Sequence, residues 1–306
     1  MSEALDRATD AQILVDSVGQ GAIYALMAVG IGLVFGVLRL INFAYGQLIM
    51  AGAYTLAFTS DQPVVVSVIA CFVVVAALSM AMERTIFRPL RRASPAVMLV
   101  TTFAIAFMLQ AIALLVDLRN DDLIGEAAVS VAPLNQVVTI GGVDVRKLTI
   151  VAILVAAGTL ALLALLLTRT TIGLHMRAAA ADFGTARLLG VRANRVIAAA
   201  VFLSGLLAAA VAVLLTVQLP FVQPDFALRE TIIVLVGVVV GGIDRLWTAT
   251  LGGFLIGFAT AEINAALPTD KSVFWPSVVF GLVILVLLVR PAGLFSWGRA
   301  PTVERA

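Results

Sequence analysis

Histidine and cysteine occur once each in the 306 residues, as His175 and Cys71. An internal disulfide and a cysteine cluster for zinc both need further cysteines, and one histidine in a polar loop leaves no catalytic triad to assemble. The chain also has no Gly-x-Ser-x-Gly turn, no His-Glu-x-x-His helix and no Gly-x-x-x-x-Gly-Lys phosphate loop. We therefore predict a protein that is not an enzyme, holds no metal or other cofactor, and binds no ATP itself.

Charge is also scarce, because only 12% of the residues are charged while 62% are hydrophobic. Soluble domains carry about 25% charged residues, so the composition indicates a membrane protein. About 20 apolar residues are needed for a helix to cross the hydrocarbon core. Six uncharged runs are long enough: 17–38, 40–60, 62–82, 93–116, 148–168 and 196–224. Three later runs are shorter: 231–243, 246–261 and 272–289.

These runs predict an all-α, polytopic membrane protein with about eight or nine transmembrane or re-entrant helices. No polar interval is long enough for a soluble domain, so residues 1–306 are expected to form a single membrane domain. The run 231–243 is too short to cross as a straight helix, and whether it crosses or is re-entrant stays open. The first residues lack a basic leader and a cleavage site, so the first helix is expected to be retained.

The distribution of arginine predicts the orientation, because Lys and Arg near helix ends are kept on the cytoplasmic side. If 83–92 is cytoplasmic and all nine runs cross, the cytoplasmic pieces hold 14 basic and 4 acidic residues, against 6 and 13 outside. The cytoplasmic pieces are Arg39, 83–92, 169–195, Asp244 with Arg245, and the tail from Arg290. The N-terminus is then expected outside and the C-terminus inside.

Two places combine a polar interruption with a helix of small residues, and they are the candidates for a solute pathway. They lie in 37–60 and in 231–258, and short or broken helices at related places in two halves are typical of transporters. In the first, four residues are predicted to line the pathway: Asn42, Tyr45, Gly46 and Gln47. Ordinary close packing of helices explains the glycine spacing of both regions equally well.

Few charges lie within the predicted helices, and this bears on how transport would be driven. Ion-coupled transporters keep acids, bases or arginines at membrane depth. Only Glu262 lies inside a predicted helix, and a solvated helix end explains its position. Coupling to an ion gradient is therefore not favoured.

The loop 169–195 contains a predicted helix over 177–190 with an apolar stripe of Ala179, Phe183, Ala186 and Leu189. The alanines favour helix, and Gly190 fits a C-terminal cap. An apolar face outside the membrane needs a cover. A partner protein is one candidate for that cover, and the bilayer surface is the alternative.

Four segments resemble the permeases of branched-chain amino-acid ABC importers, in particular the smaller LivH-type subunit. They are Gly21–Leu26 with 41–46, Glu83–Leu90, the loop Gly173–Val191, and Pro291-x-Gly293-Leu294. The resemblance implies that 169–195 is a cytoplasmic coupling loop that fits an ATPase subunit. The residues implied in this coupling are Arg177, Asp182, Phe183, Leu188, Leu189 and Gly190.

The resemblance further implies the assembly and the activity. The partners would be a second homologous permease, two cytoplasmic ATPase subunits, an external solute-binding protein and the lipid bilayer, with no nucleic acid. The complex would be an ATP-driven importer of branched-chain or other small amino acids in a bacterial-type inner membrane. A urea or short-amide importer of the same family and an ion-independent solute channel are the alternatives.

Overall fold

Helices dominate the computed structural model, which describes residues 2–39, 42–119, 136–140, 143–219, 222–242, 245–268, 271, 274–290 and 293–294. Within these ranges the α-helices are α1 (Ser2–Leu38), α2 (Tyr45–Phe58), α3 (Val64–Met82), α4 (Pro95–Asp117), α5 (Lys147–Arg169), α6 (Thr171–Ala181), α7 (Phe183–Leu188), α8 (Ala193–Gln218), α9 (Leu228–Gly241), α10 (Leu246–Ala266) and α11 (Trp275–Val289). An antiparallel hairpin pairs β1 (Val137–Ile140) with β2 (Val143–Arg146), with Val137 opposite Arg146.

Six of the described helices are long and apolar enough to cross a membrane. They lie in α1, α3, α4, α5, α8 and α10, and α11 is a shorter apolar helix. The all-α, polytopic membrane fold is therefore confirmed. The prediction of a full span over 40–60 is wrong, because α2 has only 14 residues and measures about 21 Å against the roughly 30 Å of a hydrocarbon core. The helix α9 has the same length.

Local chemistry sets several helix ends. Ser94 caps α4, where its Oγ accepts a hydrogen bond from the Val97 N–H at 3.4 Å and Pro95 occupies the first turn. Thr170 caps α6 in the same way, by accepting from the Gly173 N–H at 3.0 Å. Gly242, which follows the C-terminus of α9, has φ +105°, a backbone conformation that glycine adopts without steric cost.

Glycine allows α1 and α10 to pack closely in antiparallel orientation. Gly253 lies against Tyr24 and Ala28 of α1, and Gly257, one turn further along α10, lies against Gly21. A Cβ at either glycine would overlap α1. The packing interpretation of Gly253-x-x-x-Gly257 is therefore supported, since small residues let membrane helices approach.

The N-terminal and C-terminal parts of the chain contain the same order of helices, with opposite orientations in the bundle. The unit α1–α4 and the unit α8–α11 each run from a long helix through a 14-residue helix to further long or apolar helices. Just as α1 packs antiparallel on α10, α8 packs antiparallel on α3, where the Cys71 thiol donates to the Ala209 carbonyl at 3.8 Å and Gly205 lies against Ser79. The short helix α2 therefore corresponds to α9, and the pairing of 37–60 with 231–258 inferred from sequence is shifted.

The loops gather at two ends of the bundle. At one end, which we call the arginine-rich end, Arg84 and Arg88 share a cavity with Arg195, and Arg39 donates to the Ala180 carbonyl at 2.7 Å. The Leu294 N–H donates to the Val240 carbonyl there as well, at 2.7 Å. The segments 83–92, 169–195 and 293–294 thus lie at the same end, as the charge pattern predicts. That this end is cytoplasmic stays a prediction.

The opposite end is defined by two hydrogen bonds between helices. Ser17 of α1 donates to Glu262 of α10 at 2.9 Å, and Tyr54 of α2 donates to Asp117 of α4 at 2.8 Å. Glu262 therefore lies in the last two turns of α10 and is bonded to a neighbouring helix; that it serves no ion coupling stays a prediction.

Candidate functional site

The helix α2 begins well inside the bundle. The Tyr45 ring in its first turn lies against Gly30 of α1, and Gly30 is eight residues before Leu38, where α1 ends. At 1.5 Å per residue this is about 12 Å in from the end of α1. The helix α2 therefore starts at membrane depth, well short of the end of α1.

The first turn of α9 meets the first turn of α2. A Cβ at Gly46 would lie 2.6 Å from Thr231 Oγ1 and 3.1 Å from the Ala227 carbonyl oxygen, so only glycine allows this contact. We call the residues 42–47 and 227–231 the helix junction. Half-length helices whose N-terminal ends point at a shared position form the solute sites of several transporter folds.

The four pathway residues predicted from sequence all lie at the helix junction, and all are buried. Asn42 has a structural task, because its Oδ1 accepts from the Ala44 N–H at 3.1 Å and closes the turn before α2. The Tyr45 hydroxyl and the Gln47 Oε1 are buried without a hydrogen-bond partner among the described residues. Buried polar atoms are nearly always paired, so these two atoms are unusual among the polar groups of the helix junction.

Sequence reasoning missed Glu230, which lies in the first turn of α9. Its carboxylate is close enough to the Tyr24 hydroxyl of α1 to interact with it electrostatically, and Asp225 acts on both Glu230 and Tyr54 in the same way. From the sequence, Asp225 and Glu230 are expected in an external loop between the runs 196–224 and 231–243. The length of α9 could have revealed the position of Glu230, because a 14-residue helix that reaches one membrane surface must start at membrane depth.

The loop at the arginine-rich end holds two helices where the sequence predicted one over 177–190. The break falls at Asp182, whose Oδ1 accepts from the Gly184 N–H at 2.8 Å and the Thr185 N–H at 3.1 Å. Its Oδ2 accepts from the Thr185 hydroxyl at 2.6 Å. Asp182 is thus the N-cap of α7. These bonds, with the hydroxyl of Thr185 first, hold the pKa of Asp182 below its ordinary value.

The prediction that Gly190 caps this helix is confirmed. Gly190 has φ +88°, and the Val191 N–H donates to the Ala186 carbonyl at 3.0 Å, as in a Schellman motif. Two leucines beside this cap are exposed, Leu188 by 89% and Leu189 by 80% of their surfaces.

The predicted apolar stripe is wrong in part. Ala179 and Ala186 are buried while Leu189 is exposed, because the break at Asp182 changes the direction of the helix. Arg177 is exposed on α6. The side chain of Phe183 lies outside the part of the chain that the structure describes, as does Asp244.

One residue links the two sites. Arg39 follows α1 with φ +54°, a left-handed conformation that non-glycine residues adopt rarely, and Asn42 of the helix junction lies three residues further on. Through its bond to Ala180, Arg39 connects the end of α6 to the segment that leads into α2. Within the described residues, no group of three or more His, Cys, Asp or Glu side chains could hold a metal ion.

Comparisons with known proteins point to one family of membrane permeases. A family described as the permease component of branched-chain amino acid transport systems matches residues 13–288. The high-affinity branched-chain amino acid transport system permease protein BraD of Pseudomonas aeruginosa is 32% identical, over 96% of this chain and 97% of its own length. LivH of Salmonella typhimurium, a permease protein of the same description, is 30% identical over the same shares. No solved structure gives a significant match.

A more distant similarity covers part of the chain. LsrC of Klebsiella pneumoniae, a permease protein of an autoinducer 2 import system, is 32% identical over 48% of this chain and 42% of its own length.

Proposed function

Since this chain belongs to the family of permease components of branched-chain amino acid transport systems, we propose that it is the membrane-spanning subunit of an ATP-driven importer. The solutes are branched-chain or other small amino acids. The observation that carries the ATP-driven part is the exposure of Leu188 and Leu189 on a capped helix outside the membrane-spanning segments. An ATPase subunit would cover this surface, and the bilayer surface is the alternative cover.

The solute pathway runs through the helix junction. The N-terminal ends of α2 and α9 carry partial positive charge, which suits a carboxylate, and Glu230 supplies the opposite charge near by. This pair of charges matches an amino-acid zwitterion. The unpaired hydroxyl of Tyr45 and the unpaired Oε1 of Gln47 would then contact the solute, while Asn42 and Gly46 shape the turn.

ATP binding acts on this pathway through α6 and α7. Closure of an ATPase dimer would move the loop that carries Leu189, and Arg39 would transmit the shift from Ala180 to the start of α2. A ligand shifts a conformational equilibrium only through different affinities for two states, so the ATP-bound ATPases must fit one arrangement of α6 and α7 better. The complex would contain a second permease, two ATPase subunits and an external solute-binding protein in a bacterial inner membrane.

The test is transport by the reconstituted complex. The permease pair, its ATPases and its solute-binding protein are placed in liposomes, and uptake of labelled leucine, alanine and urea is measured with and without ATP. ATP-dependent uptake of leucine supports the proposal. Uptake of urea instead would assign the short-amide alternative, and ATP-independent uptake by the permease alone would refute the proposal in favour of a channel.

A further inference from the structure

An open cavity of about 510 Å³ lies at the arginine-rich end, between the end of α3 and the start of α8. It belongs to neither site described above. Three cations and three small apolar side chains contribute to its lining: Arg84, Arg88, Arg195, Ala77, Ala81 and Ala198. The arginines are exposed, and so are Ala77 and Ala81 on the last turns of α3.

The sequence builds this cavity through a change in helix geometry. Residues Glu83–Phe87 form a π-helical turn after α3, in which the Arg88 N–H donates to the Glu83 carbonyl at 2.8 Å. Glu83 and Phe87 are buried and anchor the turn, with 5% and 1% of their surfaces exposed. The π-turn widens the helix where Arg84 and Arg88 stand, and such turns often occur at functional sites.

The cavity carries an excess of positive charge. Glu83 also borders it, so three arginines face one carboxylate. Arginine binds phosphate oxygens through two parallel hydrogen bonds, and basic pockets between membrane helices bind the headgroups of anionic lipids. Ala81 and Ala77 lie on the membrane side of Arg84, about one and two turns back along α3, and Ala198 lies about one turn from Arg195 along α8.

We propose that this cavity binds an anionic phospholipid, with the phosphate against Arg84, Arg88 and Arg195 and an acyl chain along Ala77, Ala81 and Ala198. A free phosphate would use only the arginines. The apolar half of the cavity, open beside exposed membrane-facing residues of α3, fits a molecule that is charged at one end and apolar along its length. The site is independent of the solute that the permease carries.

The experiment is a lipid titration of the purified transporter, followed by native mass spectrometry. The added lipids are phosphatidylglycerol and phosphatidylcholine, and inorganic phosphate is a third probe. The wild type should retain at least one phosphatidylglycerol in preference to phosphatidylcholine. Since a basic residue contributes about fivefold to anionic lipid binding, R84Q/R88Q/R195Q should weaken retention about 100-fold. The control Arg290→Gln removes an exposed arginine at the same end and should leave retention unchanged.

A second variant tests the apolar half and keeps all three arginines. Ala81→Phe fills the space along α3, so it should reduce retention of phosphatidylglycerol about tenfold or more. Three results would overturn the proposal: equal retention by wild type and the triple variant, displacement of the lipid by millimolar inorganic phosphate, and no effect of Ala81→Phe. A lipid that binds the lone permease but not the assembled transporter would assign the cavity to a partner subunit and also overturn it.

Discussion

Replacing Leu189 with aspartate should detach the ATPase from this permease. Leu189 is 80% exposed, so nearly its whole side chain is available for burial by a partner, and burying a leucine contributes about 1.5–3 kcal/mol. An unpaired carboxylate in the same place adds a desolvation cost of a few kcal/mol. The lower ends of these two contributions already sum to about 3–4 kcal/mol, which at 1.4 kcal/mol per factor of ten weakens the contact at least about 100- to 1000-fold.

The assay has two readouts, the affinity of the tagged ATPase for the detergent-purified permease and the number of ATP molecules hydrolysed per solute in liposomes. Leu189→Met, which keeps the volume and the apolar surface, should behave as wild type. Leu174→Asp is a matched control, because Leu174 is an exposed leucine, with 57% of its surface open, on α6 outside the predicted coupling residues. It should bind the ATPase normally.

A bilayer-surface role for α6 and α7 predicts another pattern. In that case Leu189→Asp and Leu174→Asp would both loosen contact with lipid, while ATPase recruitment and the hydrolysis-to-transport ratio stay at wild-type values. That result would remove the physical basis for an ATP-driven permease, whatever the family of the chain.

Three further predictions concern the junction, the cap and the orientation. Gly46→Ala should cost about 1–3 kcal/mol through overlap at the junction and lower transport, and adding Thr231→Ala should restore part of both, because it removes the overlap with Thr231 Oγ1 but leaves the Ala227 carbonyl oxygen; a double variant no better than Gly46→Ala alone would refute the steric account. Asp182→Ala should lower the protection of the α7 amides against hydrogen exchange, because it removes the N-cap of that helix. Because the pKa of Asp182 is lowered, the cap stabilises fully above the ordinary carboxylate value of about 3.9 and weakens as pH falls through the lower folded value; a protection factor of α7, corrected for the intrinsic pH dependence of exchange, that stays constant between pH 5 and pH 2 would contradict this. Cysteines at Thr185 and Asp61 should be labelled from opposite membrane faces, with Thr185 on the cytoplasmic side, and labelling from one face would refute the topology.

The sequence predicts the long helices well, because about 20 apolar residues without charge have few alternatives in a membrane. It fails at α2, where the run 40–60 looks as long as the others. The polar residues of 42–47 mark an interruption in that run, but they do not show how far inside the bundle α2 begins. The start of α2 depends on tertiary contacts, namely Tyr45 against Gly30, 15 residues away, and Gly46 against Thr231, 185 residues away in the chain.

The candidate site is predicted only in part for the same reason. Asn42, Tyr45, Gly46 and Gln47 stand out as a polar interruption, and the structure brings them together. Glu230 does not stand out, because a charge beside an apolar run is normally read as a loop. The break at Asp182 was also missed, although Asp followed by Thr three residues later is a recognisable start of a helix.

The shortness of α2 has a consequence for how the chain is made. At 14 residues it is too short to insert as a stable span of its own. Two of its glycines pack on later parts of the chain, Gly46 on Thr231 and Gly52 on Ala212. Those partners are synthesised more than 150 residues later, which at 5–20 residues per second is roughly 10–30 s. Until then α2 depends on α1 and α3 and on the insertion machinery. A ribosome stalled after α5 would therefore hold a chain in which the helix junction does not yet exist.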